Sequence, residues 1–228
     1  MTVYTDEFFR LQREQAGRAA DVVVPLVIEL TRPQSVVDVG CGTGTWLAAF
    51  AERGVADVYG IDGDYVDRGA LEIPRERFLA HDLGTPLELA RRFDLVVSLE
   101  VAEHLPPERA APFVESLTRL GPIVLFSAAI PGQGGTNHVN EQWPAYWAEL
   151  FRAQGYLHVD CLPLRLWTDD AVAPWYAQNT LLYAASDELA RHDALARLHD
   201  PREAAPLALV HPTRYLEWVD WARGHVCG

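Results

Sequence analysis

Short apolar runs, each ended by Gly, Pro or an acid, alternate along this chain with segments that are apolar at every third or fourth position. The first pattern marks strands buried on both faces, and the second marks helices with one face on a core. Runs occur at 36–39, 58–62, 78–83, 93–100 and 122–128, with helical spacing over 47–51, 109–120 and 143–154. Such alternation predicts a doubly wound α/β sheet, mostly parallel, with helices on both faces. Leu157–Leu162 and Trp175–Ala185 read as two last strands, a hairpin-like pair around a long loop. They complete a seven-stranded sheet with an antiparallel last strand. Residues 3–30 read as a helical lead-in: Phe8, Leu11, Ala19 and Val22–Val24 supply apolar positions, and Pro25 opens a further turn or helix over Leu26–Leu30. Beyond the sheet, Ser186-Asp187-Glu188 starts a helix through Leu198. Pro201, Pro206 and Pro212 punctuate the next stretch, and Tyr215–Trp221 reads as a last short amphipathic helix. The chain thus divides into a helical segment (1–33), a core (34–186) and a C-terminal helical extension packed on that core (187–228).

Chemistry concentrates first at Val36-Val37-Asp38-Val39-Gly40-Cys41-Gly42-Thr43-Gly44-Thr45-Trp46. A strand ends in an acid, three glycines follow at alternate positions, and a helix begins. Glycines there permit positive φ and close approach of a ligand to the backbone. A dinucleotide site needs G-x-G-x-x-G, but here the third position is Thr45, which disfavours a nicotinamide oxidoreductase. Asp38 would repel a pyrophosphate and suits a cationic ligand. A second strand ends at Asp62, about 20 residues beyond the turn, where an acid meets ribose hydroxyls.

The D-V-G-C-G-T-G segment closely resembles motif I of the class I S-adenosylmethionine-dependent methyltransferases. The resemblance covers roughly residues 34–185 and implies a Rossmann-like fold and S-adenosylmethionine as methyl donor. It assigns Asp38, Gly40, Cys41, Gly42 and Gly44 to the cofactor turn and Asp62 to the ribose, with Gly63 and Tyr65 beside the adenine. Asp82 would face the adenine amino group, and Leu83 would offer its backbone N–H. Leu99 and Glu100 border the cofactor at the end of the fourth strand. In the family, a segment such as 1–33 often forms a lid over the cofactor.

Two constellations lie where the ends of strands four and five would meet the transferable methyl. Within Glu100-Val101-Ala102-Glu103-His104, a helical turn puts Glu100, Glu103 and His104 on one face. Two carboxylates and an imidazole suit a divalent cation. This E-x-x-E-H pattern resembles that of ubiquinone-pathway O-methyltransferases and small-RNA 2′-O-methyltransferases, in which it can contribute to a metal site. It also occurs in class I enzymes without a metal, where the residues cap or line the pocket, so both readings stand. After strand five, His138-Val139-Asn140-Glu141-Gln142-Trp143 supplies His138, either a further metal ligand or a general base. Glu141 and His104 join it as candidate catalytic residues. Alternatively, Asn140 and Glu141 cap the helix beginning near Trp143.

Composition narrows the partners. The 228 residues carry 19 basic and 32 acidic side chains, a net charge of −13. No basic run offsets this, which argues against RNA or DNA as substrate. A small-molecule acceptor fits better. No stretch is long and apolar enough to span a membrane, and the first residues lack signal-peptide features. Three cysteines without a C-x-x-C pair (Cys41, Cys161, Cys227) are consistent with a reducing cytoplasm. Cys41 reads as a small turn residue. The aromatics of the tail pack on the domain or form a homodimer contact. The expected activity is O-methylation of a hydroxyl on a small metabolite, a sugar or a natural product. N- or carboxyl-methylation, and an inactive cofactor-binding scaffold, are the alternatives.

Overall fold

The computed structural model describes the backbone of residues 6–159, 161–199, 206 and 208–226, and the side chains of 13–159, 161–199, 206 and 208–223. Seven strands form one sheet: β1 (Ser35–Val39), β2 (Asp57–Asp62), β3 (Phe78–Ala80), β4 (Leu95–Leu99), β5 (Ile123–Ser127), β6 (Tyr156–Val159) and β7 (Leu181–Ala185). Their spatial order is β3-β2-β1-β4-β5-β7-β6. The first five run parallel, and β7 is antiparallel to both β5 and β6. The helices are α1 (Asp6–Thr31), α2 (Thr45–Glu52), α3 (Ala110–Leu120), α4 (Pro144–Ala153), α5 (Pro163–Leu166), α6 (Pro174–Asn179), α7 (Ser186–Leu189), α8 (Asp193–Ala196) and α9 (Pro212–Val226).

Period-two alternation splits each strand between two cores. Val36, Leu95, Val97, Leu125 and Leu182 face α1 and α2, against Ala19, Val23, Val27, Leu47 and Phe50. Val37, Val96, Val124, Phe126 and Tyr183 face α3 and α4, against Phe113, Leu117, Trp147 and Phe151. The second core is aromatic: Phe126 lies 5.3 Å from both Trp147 and Phe151, and Phe151 stacks on Tyr183 at 3.9 Å. This two-sided burial is the doubly wound arrangement expected from the apolar runs.

Four sequence expectations change. Pro25 opens no new helix, because α1 is continuous through it. Its ring lies on the exposed side, so the missing N–H and the ring meet solvent. Trp175–Asn179 is helical rather than strand: Pro174 occupies the first helical turn, a start signal that outweighs the aromatic β propensity behind it. The expected helix through Leu198 is two short helices, broken at His192 (φ −103°, ψ 89°). The last helix is longer than expected, Pro212–Val226. The apolar positions Phe8 and Leu11, with Pro201 and Cys227, fall outside the described side chains. Cys41 and Cys161 are buried.

Candidate active site

The glycine turn links β1 to α2 with φ of 90° at Gly40, 54° at Gly42 and 89° at Gly44. All three lie in the left-handed region that side chains resist. A Cβ on Gly40 would come within 2.3 Å of Val101 Cγ2, whereas one on Gly42 would meet nothing within 4 Å. The turn is therefore packed from one side and open above Gly42. Asp62 organises it: Oδ2 accepts the Gly42 N–H at 2.6 Å, and Oδ1 accepts the Gly63 N–H at 2.6 Å and the Tyr65 hydroxyl at 2.5 Å. The Tyr65 ring crosses Gly63 so closely that a Cβ there would lie 2.1 Å from it.

Asp38 is buried beneath the turn. Burial, and secondarily the Asp62 charge, pushes its carboxyl well above the usual carboxylate range, with no basic side chain among the causes. Two acids thus lie close together under the turn, which suits a cationic ligand. Burial likewise pushes the Cys41 thiol up, so it is no nucleophile. Its Sγ would lie 2.8 Å from a Cβ on Gly60, so it fills space between β1 and β2. Asp82 closes a turn by accepting the Gly84 N–H at 2.9 Å, with Leu83 between them. Leu99 ends β4, buried against the α1–α2 core.

Glu100 follows with φ 55°, a left-handed non-glycine residue. Its N–H donates to both Ser127 O and Ser127 Oγ at 3.0 Å. Its carboxylate accepts from Gln133 Nε2 at 2.8 Å and Asn179 Nδ2 at 3.2 Å. Burial raises its pKa, and those donors pull it partly back. Gln133, Gln178 and Asn179 carry no sequence signal that marks them for this site. Gln133 Oε1 also accepts from Asn179 at 2.8 Å and Gln178 at 3.1 Å.

Glu103 sits in a 3₁₀ turn, Ala102–His104, fully removed from solvent. Its carboxylate oxygens make no well-formed hydrogen bond, although the Ala129 amide and the Glu100 carboxyl lie alongside. Burial, then Glu100, holds its pKa well above the usual range. Ligand atoms of Glu103, His104 and His138 lie within 4.8 Å of one another, while Glu100 stands outside that group. The His104 and His138 rings meet edge to face at 4.9 Å. Burial, then His138, lowers the pKa of His104 and favours its neutral form. A buried carboxylate with poor partners beside two imidazoles is a donor set that fits a divalent ion.

His138 is positioned by Glu141, with Nδ1 2.9 Å from Oε1. The same carboxylate accepts the Gly132 N–H at 2.7 Å and the Gly134 N–H at 2.8 Å. Thus Glu141 does not cap α4, whose N-cap is Trp143 and which has no side-chain cap. Asn140 is buried, with Oδ1 accepting from Gln142 at 3.0 Å. A Cβ on Gly135 would come within 2.3 Å of His138 Nε2. Tyr176 closes this region from α6. Its ring meets Trp46 at 5.3 Å, and burial, then the charge of Glu100, raises its phenol.

Comparisons with known proteins bear on the family and the fold. A family model described as a methyltransferase domain matches residues 11–155. A probable chloroplastic tocopherol O-methyltransferase of Oryza sativa subsp. japonica is 38% identical over 97 residues, 39% of this chain and 26% of that protein. The chain thus spans about a quarter of the curated relative's length. Magnesium protoporphyrin IX methyltransferase from Synechocystis PCC 6803, solved with bound SAM, is 21% identical with a TM-score of 0.56, over 75% of this chain and 80% of that one. A sugar N-methyltransferase from Streptoalloteichus sp ATCC 53650 is 18% identical with a TM-score of 0.59, covering 81% and 96%. These structural likenesses establish the fold. Among the described residues, no helix is long and apolar enough to cross a membrane.

Proposed function

The chain belongs to the methyltransferase-domain family of the class I S-adenosylmethionine-dependent superfamily, and from that premise we propose that it methylates a hydroxyl oxygen of a small metabolite, a sugar or a natural product. The observation that carries this reading is His138, oriented by Glu141, beside Glu103 and His104. They stand past the carboxyl ends of β4 and β5, the rim where open α/β sheets hold ligands.

When bound, S-adenosylmethionine supplies a methyl group on a positively charged sulfur. The turn of Gly40, Cys41, Gly42 and Gly44 would border it, and Asp38 and Asp62 would complement its charge. Asp62 serves the ribose once Tyr65 gives way. Gly63, Asp82 and Leu83 border the adenine, and Leu99 and Glu100 the methionine end. The described part of α1 would flank this side: a Cβ on its Gly17 would lie 3.8 Å from the Thr45 methyl at the start of α2.

With Nδ1–H donating to Glu141, His138 Nε2 would be unprotonated and would accept the proton of the acceptor hydroxyl, whose oxygen takes the methyl group that the cofactor would supply. Alignment of oxygen, carbon and sulfur supplies much of the acceleration. Glu103, His104 and His138 would hold a divalent ion, which when bound lowers the pKa of an oxygen ligand. His138 then serves as ligand instead of base.

The test is transfer of labelled methyl from S-adenosylmethionine to a panel of hydroxylated sugars, phenols and amines, with and without chelator. Labelled ethers support the proposal. Exclusive N-methylation, or cofactor binding with no product on any acceptor, would overturn it. Loss of product after chelation assigns His138 to the metal.

A further inference from the structure

The glycine loop after β5 is held from two sides. Gly132, Gly134, Gly135 and Asn137 have φ of 83°, 70°, 157° and 60°. Such a segment has little intrinsic preference for one conformation, and its shape must come from its partners. Glu141 supplies the inner partners through the Gly132 and Gly134 amides. The outer partners come from α9. Trp218 Nε1–H donates to Gly132 O at 2.6 Å, and its ring packs so closely that a Cβ on Gly132 would lie 2.8 Å away. Arg214 donates from Nη2 to Gln133 O and is itself paired with Glu217. A third link runs from the His211 N–H to Gln178 Oε1 at 2.9 Å, and from Gln178 to Gln133.

Two side chains at the candidate centre depend on this loop. Gln133 has every polar group engaged: N–H to Ile130 O at 2.9 Å, O from Arg214, Oε1 from Gln178 and Asn179, and Nε2 to Glu100. It therefore fixes Glu100. Glu141 carries the two glycine amides and His138 on one carboxylate, so a shift of those amides moves the imidazole.

We infer that α9 is a positioning element of the active site: Arg214 and Trp218 hold the 132–135 loop in the conformation in which Glu141 orients His138 and Gln133 orients Glu100. This inference rests on the proposed function for its catalytic consequence, but not for its geometry. Neither residue touches the reacting atoms. Their effect passes through the loop.

The experiment compares the full chain with W218F, which keeps an aromatic side chain but removes the donor and part of the indole, with R214A, and with D220A. Asp220 lies on the same helix, mostly exposed, and pairs only loosely with Arg223 at 3.7 Å. Nitrogen-15 NMR of the histidine rings, with His138 assigned through H138Q, reports its tautomer. Amide exchange reports the loop. In the wild type, His138 holds its proton on Nδ1. In W218F and R214A, the Nε2–H form gains share, and Gly132 and Gly134 exchange at least about tenfold faster. D220A matches the wild type. On any acceptor the wild type methylates, kcat falls about tenfold in W218F, and the Kd for S-adenosylmethionine, reached only through Glu100, changes less than kcat.

Unchanged tautomer and exchange in W218F would overturn the inference, even if R214A fails to fold. A melting temperature that falls in W218F with exchange raised across the whole sheet would also overturn it, because α9 would then prop the whole domain. A wild type that methylates nothing would defeat the proposed function, while the NMR comparison still decides the role of α9.

Discussion

Replacing Tyr65 by Phe isolates what Asp62 does. In the present arrangement Asp62 is buried, and both of its oxygens are occupied by protein donors. The two amides belong to the turn itself, but the Tyr65 hydroxyl reaches in from a residue that is 80% exposed. It occupies one of the lone pairs that a ribose hydroxyl would use. A hydrogen bond to a charged acceptor is worth about 1.5–3 kcal/mol, with the lower end expected for an exposed donor. If S-adenosylmethionine must displace that bond, Y65F should tighten binding about tenfold, the equivalent of ~1.4 kcal/mol. Titration calorimetry with the cofactor and with its demethylated product measures this directly. D62N in the same experiment should weaken binding. Y65F binding no tighter than wild type would refute the competition. Weaker binding would mean that the Tyr65 hydroxyl contacts the ligand.

H138A should reduce turnover by ~10²–10⁴-fold while leaving cofactor affinity nearly intact, and near-normal single-turnover rates would remove His138 from the chemistry. Between its unfolded and folded titration points, Glu103 binds a proton in the native state that the unfolded chain has lost, so its contribution to stability falls as pH rises through that window. In chelated protein, E103Q should therefore melt higher at neutral pH. A gain of ~1–2 kcal/mol corresponds to about 2–8 °C for a chain of this size, and the gap should close in acid. A lower melting temperature for E103Q would show that the carboxylate is well satisfied. G40A combines a left-handed φ with the Val101 contact and should cost about 2–5 kcal/mol in denaturant unfolding; a loss below ~0.5 kcal/mol would contradict the packing described.

The sheet is legible in the sequence because its signals are local. Alternating apolar positions sort Val36 and Val37 onto opposite faces, and glycines at 40, 42 and 44 announce left-handed backbone. Asp62 is marked by its interval from the turn, although its present partners are not. The rest of the site is assembled by contacts between residues remote in sequence. Gln133 and Asn179 are 46 positions apart, and Gly132 and Trp218 are 86 apart. No periodicity encodes either pairing. Glu141 is ambiguous in the sequence because an acid just before a helix resembles a cap. Only the loop geometry reveals that its oxygens turn back toward Gly132, Gly134 and His138.

The reversal of β7 has a consequence for how this rim can vary. A forward strand delivers residues to the ligand end as it leaves the sheet, whereas β7 delivers them as it enters. Tyr176, Gln178 and Asn179 therefore arrive on the approach road, from α6, ahead of the strand's own core positions. Remodelling that approach would exchange one flank of the proposed acceptor side while the half proposed to hold the methyl donor, built on β1 to β3, keeps its foundations.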